Sequence, residues 1–260
     1  MFRQALVLVV VLWGCGLWVN FGTCVSLSGR IVGGKSANDI DLPWMVSIRS
    51  SGRHICGGSI INKRTILTAA HCLKYTDSKL LKIRVGSKMK SSGGKLVAVK
   101  SVSSHSGFLS STMDYDIGII RLADDLEFSD SVQPIALPAA GEDVAEGASA
   151  IVSGWGFYTP FGPEAQYLQY AEVPIINQAT CNRLFQNVIT DRMVCAGVLT
   201  GGIDACTMDS GGPLVVNSKL VGIVSWGISC ALPNKPGVYT RVSELIPWVA
   251  DYLKKFNEEL

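Results

Sequence analysis

One serine stands in a setting that could make its hydroxyl reactive. Ser210 lies in DACTMDSGGPLV, residues 204–215, where it follows an acid and precedes two glycines and an apolar run. A serine hydroxyl is a poor nucleophile at neutral pH, so it needs a base within hydrogen-bond reach and a third group that orients the base. The candidates for the base are therefore the histidines, and the candidate for the third group is an acid that could be buried beside one of them.

The chain offers three histidines as a base. His71 ends the apolar stretch TILTAAHC, His54 begins HICGGS, and His105 lies in the polar segment SVSSHSGF. For the orienting acid, Asp116 opens the apolar run DIGIIRL, and a carboxylate buried there needs a partner because burying it alone is costly. Ser210, His71 and Asp116 are a plausible set, but their spacing alone does not select His71 over the other histidines.

The segments that must position these residues have the pattern of β-strands. Runs of β-branched and apolar residues alternate with turns rich in Ser, Gly, Asp and Lys. Six runs precede residues 123–138 and six follow, at 44–49, 54–61, 65–70, 81–86, 95–102 and 116–122, then at 147–156, 168–176, 192–198, 212–217, 220–227 and 237–242. We predict an all-β fold of two packed six-stranded antiparallel β-barrels, because closure removes exposed sheet edges.

Only the C-terminal end has a helical pattern. Ser243 could cap a segment over about residues 244–256, whose apolar side chains recur on one face: Leu245, Ile246, Val249, Leu253 and Phe256. The sequence therefore predicts a C-terminal α-helix.

The first residues have the pattern of an export signal. In MFRQALVLVVVLWGCGLWVNFGTCVS a basic residue precedes a mostly apolar run and then small residues, as in a secretory leader. We predict a signal peptide over residues 1–26 and a secreted, extracellular protein. The alternative is an uncleaved membrane anchor, which Gly14, Cys15 and Gly16 disfavour because they interrupt the apolar run early.

Composition limits the partners of the exported chain. From Ile31 onward it has 21 Lys and Arg and 21 Asp and Glu residues, since the full counts of 23 and 21 lose only Arg3 and Arg30. This balance favours neither nucleic acid nor an anionic membrane as a partner. Six cysteines follow the leader, an even number typical of disulfides in an oxidising compartment.

Seven short motifs occur in a fixed order from residue 31 onward. They are IVGG at 31–34, TAAHC at 68–72, DYDIGII at 114–120, SGWG at 153–156, DSGGP at 209–213, SWG at 225–227 and PGVYTRV at 236–242. Together they resemble the trypsin-like serine proteases of the chymotrypsin family. The resemblance implies a peptidase domain over residues 31–260, with barrels at about 31–130 and 131–243.

The resemblance assigns roles to the residues with reactive side chains. It implies that Ser210 attacks the scissile carbonyl, that His71 accepts and returns the proton, and that Asp116 orients the imidazole. It also implies that the backbone N–H groups of Met208 and Ser210 form the oxyanion hole.

A second set of residues in the resemblance concerns substrate specificity. Asp204 would form the floor of the pocket for the residue before the cut, Gly227 and Gly237 its walls, and Ser225, Trp226 and Gly227 the edge that pairs with substrate backbone. A carboxylate at the floor implies cleavage after Arg or Lys. Protein or peptide substrates and protein inhibitors would be the partners, and the enzyme would be a monomer.

The segment before Ile31 has the form of an activation site. In the family, residues 27–30 would be a short activation peptide, cleavage after Arg30 would free the ammonium of Ile31, and this ammonium would pair with Asp209. An ion pair buried in this way makes a good switch because losing one partner leaves a buried charge.

The resemblance also implies how the cysteines pair and which cofactors are needed. The pairs would be Cys56 with Cys72, Cys181 with Cys195 and Cys206 with Cys230. No cofactor is implied, and the loop SKMKSSGGK at 87–95 lacks the carboxylates of calcium-binding trypsins, so we predict no calcium or other metal there.

Met208 departs from the family pattern, which usually has glycine in GDSGGP. Methionine keeps the backbone N–H, but its side chain would lie at the rim of the oxyanion hole on the leaving-group side. We expect an active protease with altered leaving-side selectivity and altered inhibitor sensitivity. The alternative is a low-activity or inactive homologue that acts as a binding protein.

Overall fold

The computed structural model describes residues 31, 33–74, 76–157, 164–206 and 208–258. The predicted signal peptide, the activation segment and Arg30 lie outside the described residues. No helix in the described part of the chain is long and apolar enough to span a bilayer.

Six antiparallel strands form the first barrel, after a two-residue strand β1 (Lys35–Ser36). They are β2 (Met45–Ser50), β3 (Arg53–Ile60), β4 (Thr65–Thr68), β5 (Leu81–Val85), β6 (Lys95–Ser104) and β7 (Gly118–Leu122). The barrel closes in the order β2-β3-β4-β7-β6-β5, with β5 paired back to β2. Its inward side chains are β-branched and leucine residues that are almost completely buried, such as Ile48, Ile66 and Ile83.

The second barrel has six further antiparallel strands. They are β8 (Ser149–Gly154), β9 (Gln169–Ile176), β10 (Met193–Ala196), β11 (Pro213–Val216), β12 (Lys219–Trp226) and β13 (Gly237–Arg241). The pairings β8-β9-β10-β13-β12-β11 close because β11 also pairs with β8. The predicted fold of two six-stranded barrels is confirmed.

Each barrel is completed by a segment from the far end of the chain. Strand β1 pairs with β9 of the second barrel, and Ile31 is fully buried in the core of that barrel. The C-terminal helix, α2 (Ile246–Lys254), instead buries Val249 and Leu253 in the core of the first barrel. The two barrels are thus fastened together at both ends, which fixes the cleft between them.

Two details of the helices differ from the prediction. Helix α1 (Gln178–Leu184) was not expected, and Asn177 caps it by accepting a hydrogen bond from the N–H of Thr180 at 3.1 Å. Ser243 begins a 3-10 turn, Ser243–Leu245, and α2 starts after it without a side-chain cap. The predicted capping role of Ser243 is therefore wrong; a proline at the start of α2 fixes its first turn instead.

Candidate active site

His71 is held by the end of a buried strand and by a disulfide. Strand β4 runs into a single 3-10 turn, Ala70–Cys72, that carries His71. Cys72 is bonded to Cys56 on β3, and a ring nitrogen of His71 lies within 4.8 Å of both sulfurs. Because both sulfurs are used in the disulfide, they are not thiolate ligands for a metal. The bond instead fixes the backbone that carries the imidazole.

Asp116 is the acid beside His71. It is fully buried, its Oδ2 lies 2.7 Å from His71 Nδ1, and its Oδ1 accepts a hydrogen bond from the His71 backbone N–H at 2.9 Å. The paired contacts fix the ring and favour the tautomer with the proton on Nδ1. Nε2 is then left to accept a proton on the side away from Asp116.

The second barrel completes the surroundings of Asp116. Ser225 on β12 donates its hydroxyl proton to Asp116 Oδ2 at 2.6 Å, and Thr240 on β13 donates to the Asp116 carbonyl at 2.7 Å. Asp116 comes from the first barrel, just before β7, so its partners bridge the cleft. The sequence motifs predict only a contact with substrate backbone for Ser225 and no role for Thr240.

The other two histidines have structural partners of their own. His54 is 5% exposed, with Nδ1 at 2.8 Å from Ser47 Oγ and Nε2 at 3.0 Å from the carbonyl of Met208, and burial lowers its pKa to about 4. His105 stacks on Tyr115 with 4.5 Å between ring centroids, and burial lowers its pKa as well. Of the three histidines, His71 is thus the one whose ring contacts the buried carboxylate of Asp116.

Ser210 lies in a tight turn pressed against the first barrel. Its carbonyl accepts a hydrogen bond from Gly57 N–H on β3 at 2.8 Å. At Gly211, where φ is +78°, a Cβ would lie 2.2 Å from Thr68 Oγ1, so only glycine allows this approach. The contact places Ser210 beside the end of β4, where His71 follows.

The hydrogen bonds described for the His71 side chain run to Asp116 alone. A bond from Ser210 Oγ to Nε2 is not among them. In substrate-free sites such bonds are often long and close only when substrate binds. The contacts of Ser210 and Gly211 with β3 and β4 nevertheless put the serine against the part of the first barrel that leads to His71.

A pocket of about 250 Å³ opens next to Ser210. The segment before the serine contributes Asp204 to its lining. Strands β12 and β13, with the residue after β12, contribute Ser225, Trp226, Gly227, Gly237 and Tyr239. The three predicted pocket positions, Asp204, Gly227 and Gly237, therefore line one cavity, together with the two further predicted substrate-binding residues Ser225 and Trp226. Tyr239 is a lining residue that sequence analysis missed, although it lies within PGVYTRV.

Asp204 gives the pocket its chemistry. It is 3% exposed; its Oδ2 accepts a hydrogen bond from Ala231 N–H at 3.3 Å, while its Oδ1 is buried without a partner among the described residues. Burial raises the pKa of Asp204 to about 7, although backbone donors oppose the rise. An unsatisfied buried carboxylate oxygen is costly, so a cationic donor that entered the pocket would be strongly favoured.

Two glycines keep the pocket open. A Cβ at Gly237 would lie 2.8 Å from Asp204 Oδ1 and 3.1 Å from the Tyr239 hydroxyl, so a side chain there would displace the acid. At Gly227 the nearest atom would be Ser229 O at 3.6 Å, so a side chain would extend into the cavity itself. Trp226 between them packs edge-on against Phe185 at 5.2 Å between ring centroids.

Met208 has a backbone conformation that favours glycine. Its φ is +76°, and it is the third residue of a turn closed by the hydrogen bond from Asp209 N–H to the Cys206 carbonyl at 3.0 Å. A positive φ at this position is typical of a type II turn, which usually has glycine there. His54 donates to the Met208 carbonyl, and this contact was also missed from the sequence.

Asp209 is a completely buried acid behind the turn. Its Oδ1 accepts from Gly156 N–H at 2.7 Å and its Oδ2 from Cys206 N–H at 3.0 Å. Burial raises its pKa to about 6, and the two backbone donors oppose the rise. A Cβ at Gly154 would lie 2.0 Å from Oδ1, which explains the first glycine of SGWG.

Disulfides and polar contacts hold the loops around the site. The other two disulfides join Cys181 to Cys195 and Cys206 to Cys230, as the resemblance implies. In the loop at 87–94, Lys90 is 4% exposed and pairs with Glu164, and Arg84 donates to the carbonyls of Gly93 and Ser91.

Comparison with known proteins agrees with this geometry. The family model described as Trypsin matches residues 31–249. The chain belongs to the trypsin family. Its relatives include Trypsin 5G1 of Aedes aegypti, 39% identical over 96% of this chain and 98% of that protein, and Trypsin alpha of Drosophila melanogaster, 42% identical over 96% and 97%. A trypsin of Simulium vittatum is 45% identical over 82% of this chain and 89% of its own length.

Membership of the trypsin family identifies the class of reaction. The chain is a trypsin-like serine endopeptidase, a hydrolase that acts on protein or peptide substrates. Thr240 and Tyr239 lie inside the motif PGVYTRV, and Met208, whose carbonyl contacts His54, directly precedes DSGGP. Their roles depend on pairing between distant strands, which the linear sequence does not display.

Proposed function

We propose that this chain is a secreted endopeptidase that cleaves after Arg or Lys once the Arg30–Ile31 bond has been cut. The observation that carries the proposal is Asp204, a buried carboxylate with one unsatisfied oxygen in a pocket beside Ser210. The pocket admits a long side chain because Gly227 and Gly237 leave its walls bare. A guanidinium or ammonium is the group that satisfies such a carboxylate.

The proposed chemistry assigns one role to each group in the cleft. Ser210 attacks the scissile carbonyl while His71 Nε2 takes its proton and later gives it to the leaving amine. Asp116 holds the imidazole by its two contacts and stabilises the positive form. The N–H groups of Met208 and Ser210 donate to the oxyanion, which removes the need for a metal or cofactor in the reaction.

Activation is proposed to act through Asp209. Ile31 is already fully buried in the second-barrel core, and a Cβ at Gly33 would clash with Gly202 O, so the segment fits closely there. Cleavage after Arg30 would convert the Ile31 nitrogen into an ammonium. Asp209 has two neutral donors and no cationic side chain paired with it among the described residues, so it is ready to receive that charge.

The specificity is tested by comparing two substrates and two enzymes. The chain cleaved at Arg30 should hydrolyse a small Arg ester far faster than the matching Phe ester. Asp204→Asn keeps the shape of the floor but removes the charge, and it should lower kcat/KM for the Arg ester by at least about a hundredfold, since breaking a buried ion pair costs about 3–5 kcal/mol. Its rate with the Phe ester should fall little.

Two controls make the test decisive. Ser210→Ala, cleaved in the same way, gives the background rate, and Arg30→Gln blocks the activating cut without altering the cleft. An Asp204→Asn enzyme that kept the full preference for Arg would overturn the proposed specificity. An Arg30→Gln chain with the rate of the cleaved enzyme would overturn the proposed activation.

A further inference from the structure

The two barrels are joined by a long exposed connection. Between the end of β7 at Leu122 and the start of β8 at Ser149 the chain forms no helix or named strand, and most of its side chains between Asp124 and Gly147 are exposed. Exposed segments without regular hydrogen bonding are the preferred sites of proteolytic nicking. In a protease, such a connection is open to the enzyme's own active site.

The connection lacks the residues that this active site would accept. Residues 122–182 contain no Lys and no Arg, whereas the segments on either side, 31–121 and 183–260, carry 21 between them. The same stretch holds nine acidic residues. An acidic side chain cannot satisfy the Asp204 carboxylate and would be repelled by it.

The ion pairs of the connection all have the same orientation. Glu142 pairs with Lys219 on β12 at 2.7 Å, and Asp143 pairs with Arg241 on β13 at 3.1 Å. Asp125 pairs with Arg64, which directly precedes β4. In each pair the acid is on the connection and the base lies on or next to a barrel strand.

An ion pair keeps its attraction when its two charges are exchanged, so anchoring alone does not require this orientation. Protection from cleavage does require it. A Lys or Arg on a barrel strand is held by backbone hydrogen bonds to its neighbours, whereas the same residue on the connection would be presented in an exposed segment.

We propose that the acid-only connection protects the active enzyme from its own specificity and from other proteases that cleave after Arg or Lys. This inference rests on the proposed function. The connection remains open to proteases that cut after large apolar residues, because Phe128 is exposed in it. A protease of that class could therefore cleave the connection and inactivate the enzyme. Cleavage of the connection is then left to a protease of different specificity.

Ala140 provides the test because it is exposed in a turn of the connection and has no described side-chain contact. Ala140→Arg supplies a cut site, and Ala140→Gln is the matched control of similar length without the charge. Each cleaved enzyme is incubated alone, and residual activity and fragment masses are followed. We expect the half-life of Ala140→Arg to be at least fivefold shorter, with a fragment ending at residue 140, and no parent fragment ending within 122–182.

A charge exchange provides a second test. Glu142→Lys with Lys219→Glu keeps the ion pair but moves its base onto the connection, and we expect self-cleavage after residue 142. Thermal unfolding of the exchanged chain in a Ser210→Ala background shows that it folds. If neither Ala140→Arg nor the exchanged enzyme is cut faster than its control, the fold and not the composition protects the connection, and the proposal is overturned.

Added protease separates this inference from the proposed function. Ser210→Ala chains with and without Ala140→Arg are treated with a purified trypsin, and only the chain with Arg at 140 should be cut in the connection. If that occurs while the active Ala140→Arg enzyme leaves itself intact, the proposed Arg/Lys specificity fails and self-protection fails with it. If a protease that cuts after aromatic residues spares the parent connection, the named route of inactivation is wrong.

Discussion

Replacing Met208 with glycine should relieve backbone strain in the turn between Cys206 and Asp209 while leaving the geometry of the proposed oxyanion hole unchanged. Met208 has φ of +76° in the turn closed between Cys206 and Asp209. The alternative type I turn has φ near −90° at this position and differs by turning over the central peptide, whose N–H belongs to Met208. Changing from one turn to the other therefore reverses the direction of the Met208 N–H, which is the proposed oxyanion donor.

The magnitude follows from the β-carbon. A left-handed conformation costs a residue with a side chain about 1–2 kcal/mol, and glycine does not pay this cost. Glycine also makes the unfolded chain more flexible, which offsets about 0.4–1 kcal/mol. The free energy of unfolding should therefore rise by roughly 0.5–1 kcal/mol in Met208→Gly, the difference between these estimates.

The effect on rate should be smaller than that of losing an oxyanion donor, because glycine only relieves the strain of a turn that Met208 already adopts. Strain of about 1–2 kcal/mol corresponds to a factor of about 5–30 in the turn equilibrium, which bounds the gain from glycine. We expect kcat/KM for a small Arg ester to rise by less than about thirtyfold, against the 10²–10³-fold effect of losing a whole oxyanion donor. Stopped-flow ester hydrolysis and urea unfolding at pH 8 measure the two quantities.

Met208→Ala separates backbone strain from side-chain bulk. It keeps the β-carbon, so it should keep the strain and the parent rate on small substrates. It removes the rim side chain, so substrates with bulky residues after the cut and tight protein inhibitors should gain as much as in Met208→Gly. A hundredfold rise in Met208→Gly alone would refute the reasoning, because it would mean that the parent donor points away from the substrate.

Four further predictions concern the same cleft. A small arylamidinium should bind with release of about one proton at pH 6 and almost none at pH 8, because burial raises the pKa of Asp204 to about 7 and binding requires its ionised form. The affinity for the arylamidinium should therefore fall as pH falls, and calorimetry in two buffers measures both the affinity and the proton release. Gly237→Ala should abolish that binding, since its Cβ would lie 2.8 Å from Asp204 Oδ1. Ser225→Ala should lower kcat by about tenfold with little change in KM, because the donor to Asp116 Oδ2 is lost, as single-turnover kinetics can check. A calcium chelator should leave Tm unchanged, since Arg84 and Lys90 already hold the loop at 87–94, and calorimetry with and without the chelator decides this.

The fold was predictable because its pattern repeats. Every one of the twelve apolar runs overlaps a barrel strand, since strands such as β4 and β7 are buried at every residue and leave continuous apolar runs in the sequence. Helix α1 was missed because it is short and only Cys181 within it is buried, so no apolar face marks it. The crossing of β1 onto the second barrel was also invisible, because a two-residue strand has no period.

The residues of the site could be predicted where the chemistry requires one residue type, such as a histidine as the base. They could not be predicted where folding brings a distant polar residue into contact with the site. Spacing alone left three histidines as candidate bases, the family motifs pointed to His71, and the structure adds the contact between His71 and Asp116. Thr240 donates across 124 residues of sequence to a backbone carbonyl, and no property of a threonine in a strand announces that role. Gly154, Gly211 and Gly237, in contrast, belong to motifs recognised in the sequence, and in the structure each lies too close to a neighbouring group for a β-carbon.

Residues 204–212 combine functions that are usually treated separately. Asp204 lies in the pocket beside Ser210, Met208 bears the proposed oxyanion donor, Asp209 is the proposed switch and Ser210 the proposed nucleophile. The carboxylate of Asp209 accepts from Cys206 N–H, and Cys206 is bonded to Cys230 at the rim of the pocket. A change in the charge partner of Asp209 therefore acts on one rigid turn with the pocket on one side and the hole on the other. For this reason specificity and rate should rise together on activation, and neither should be acquired alone.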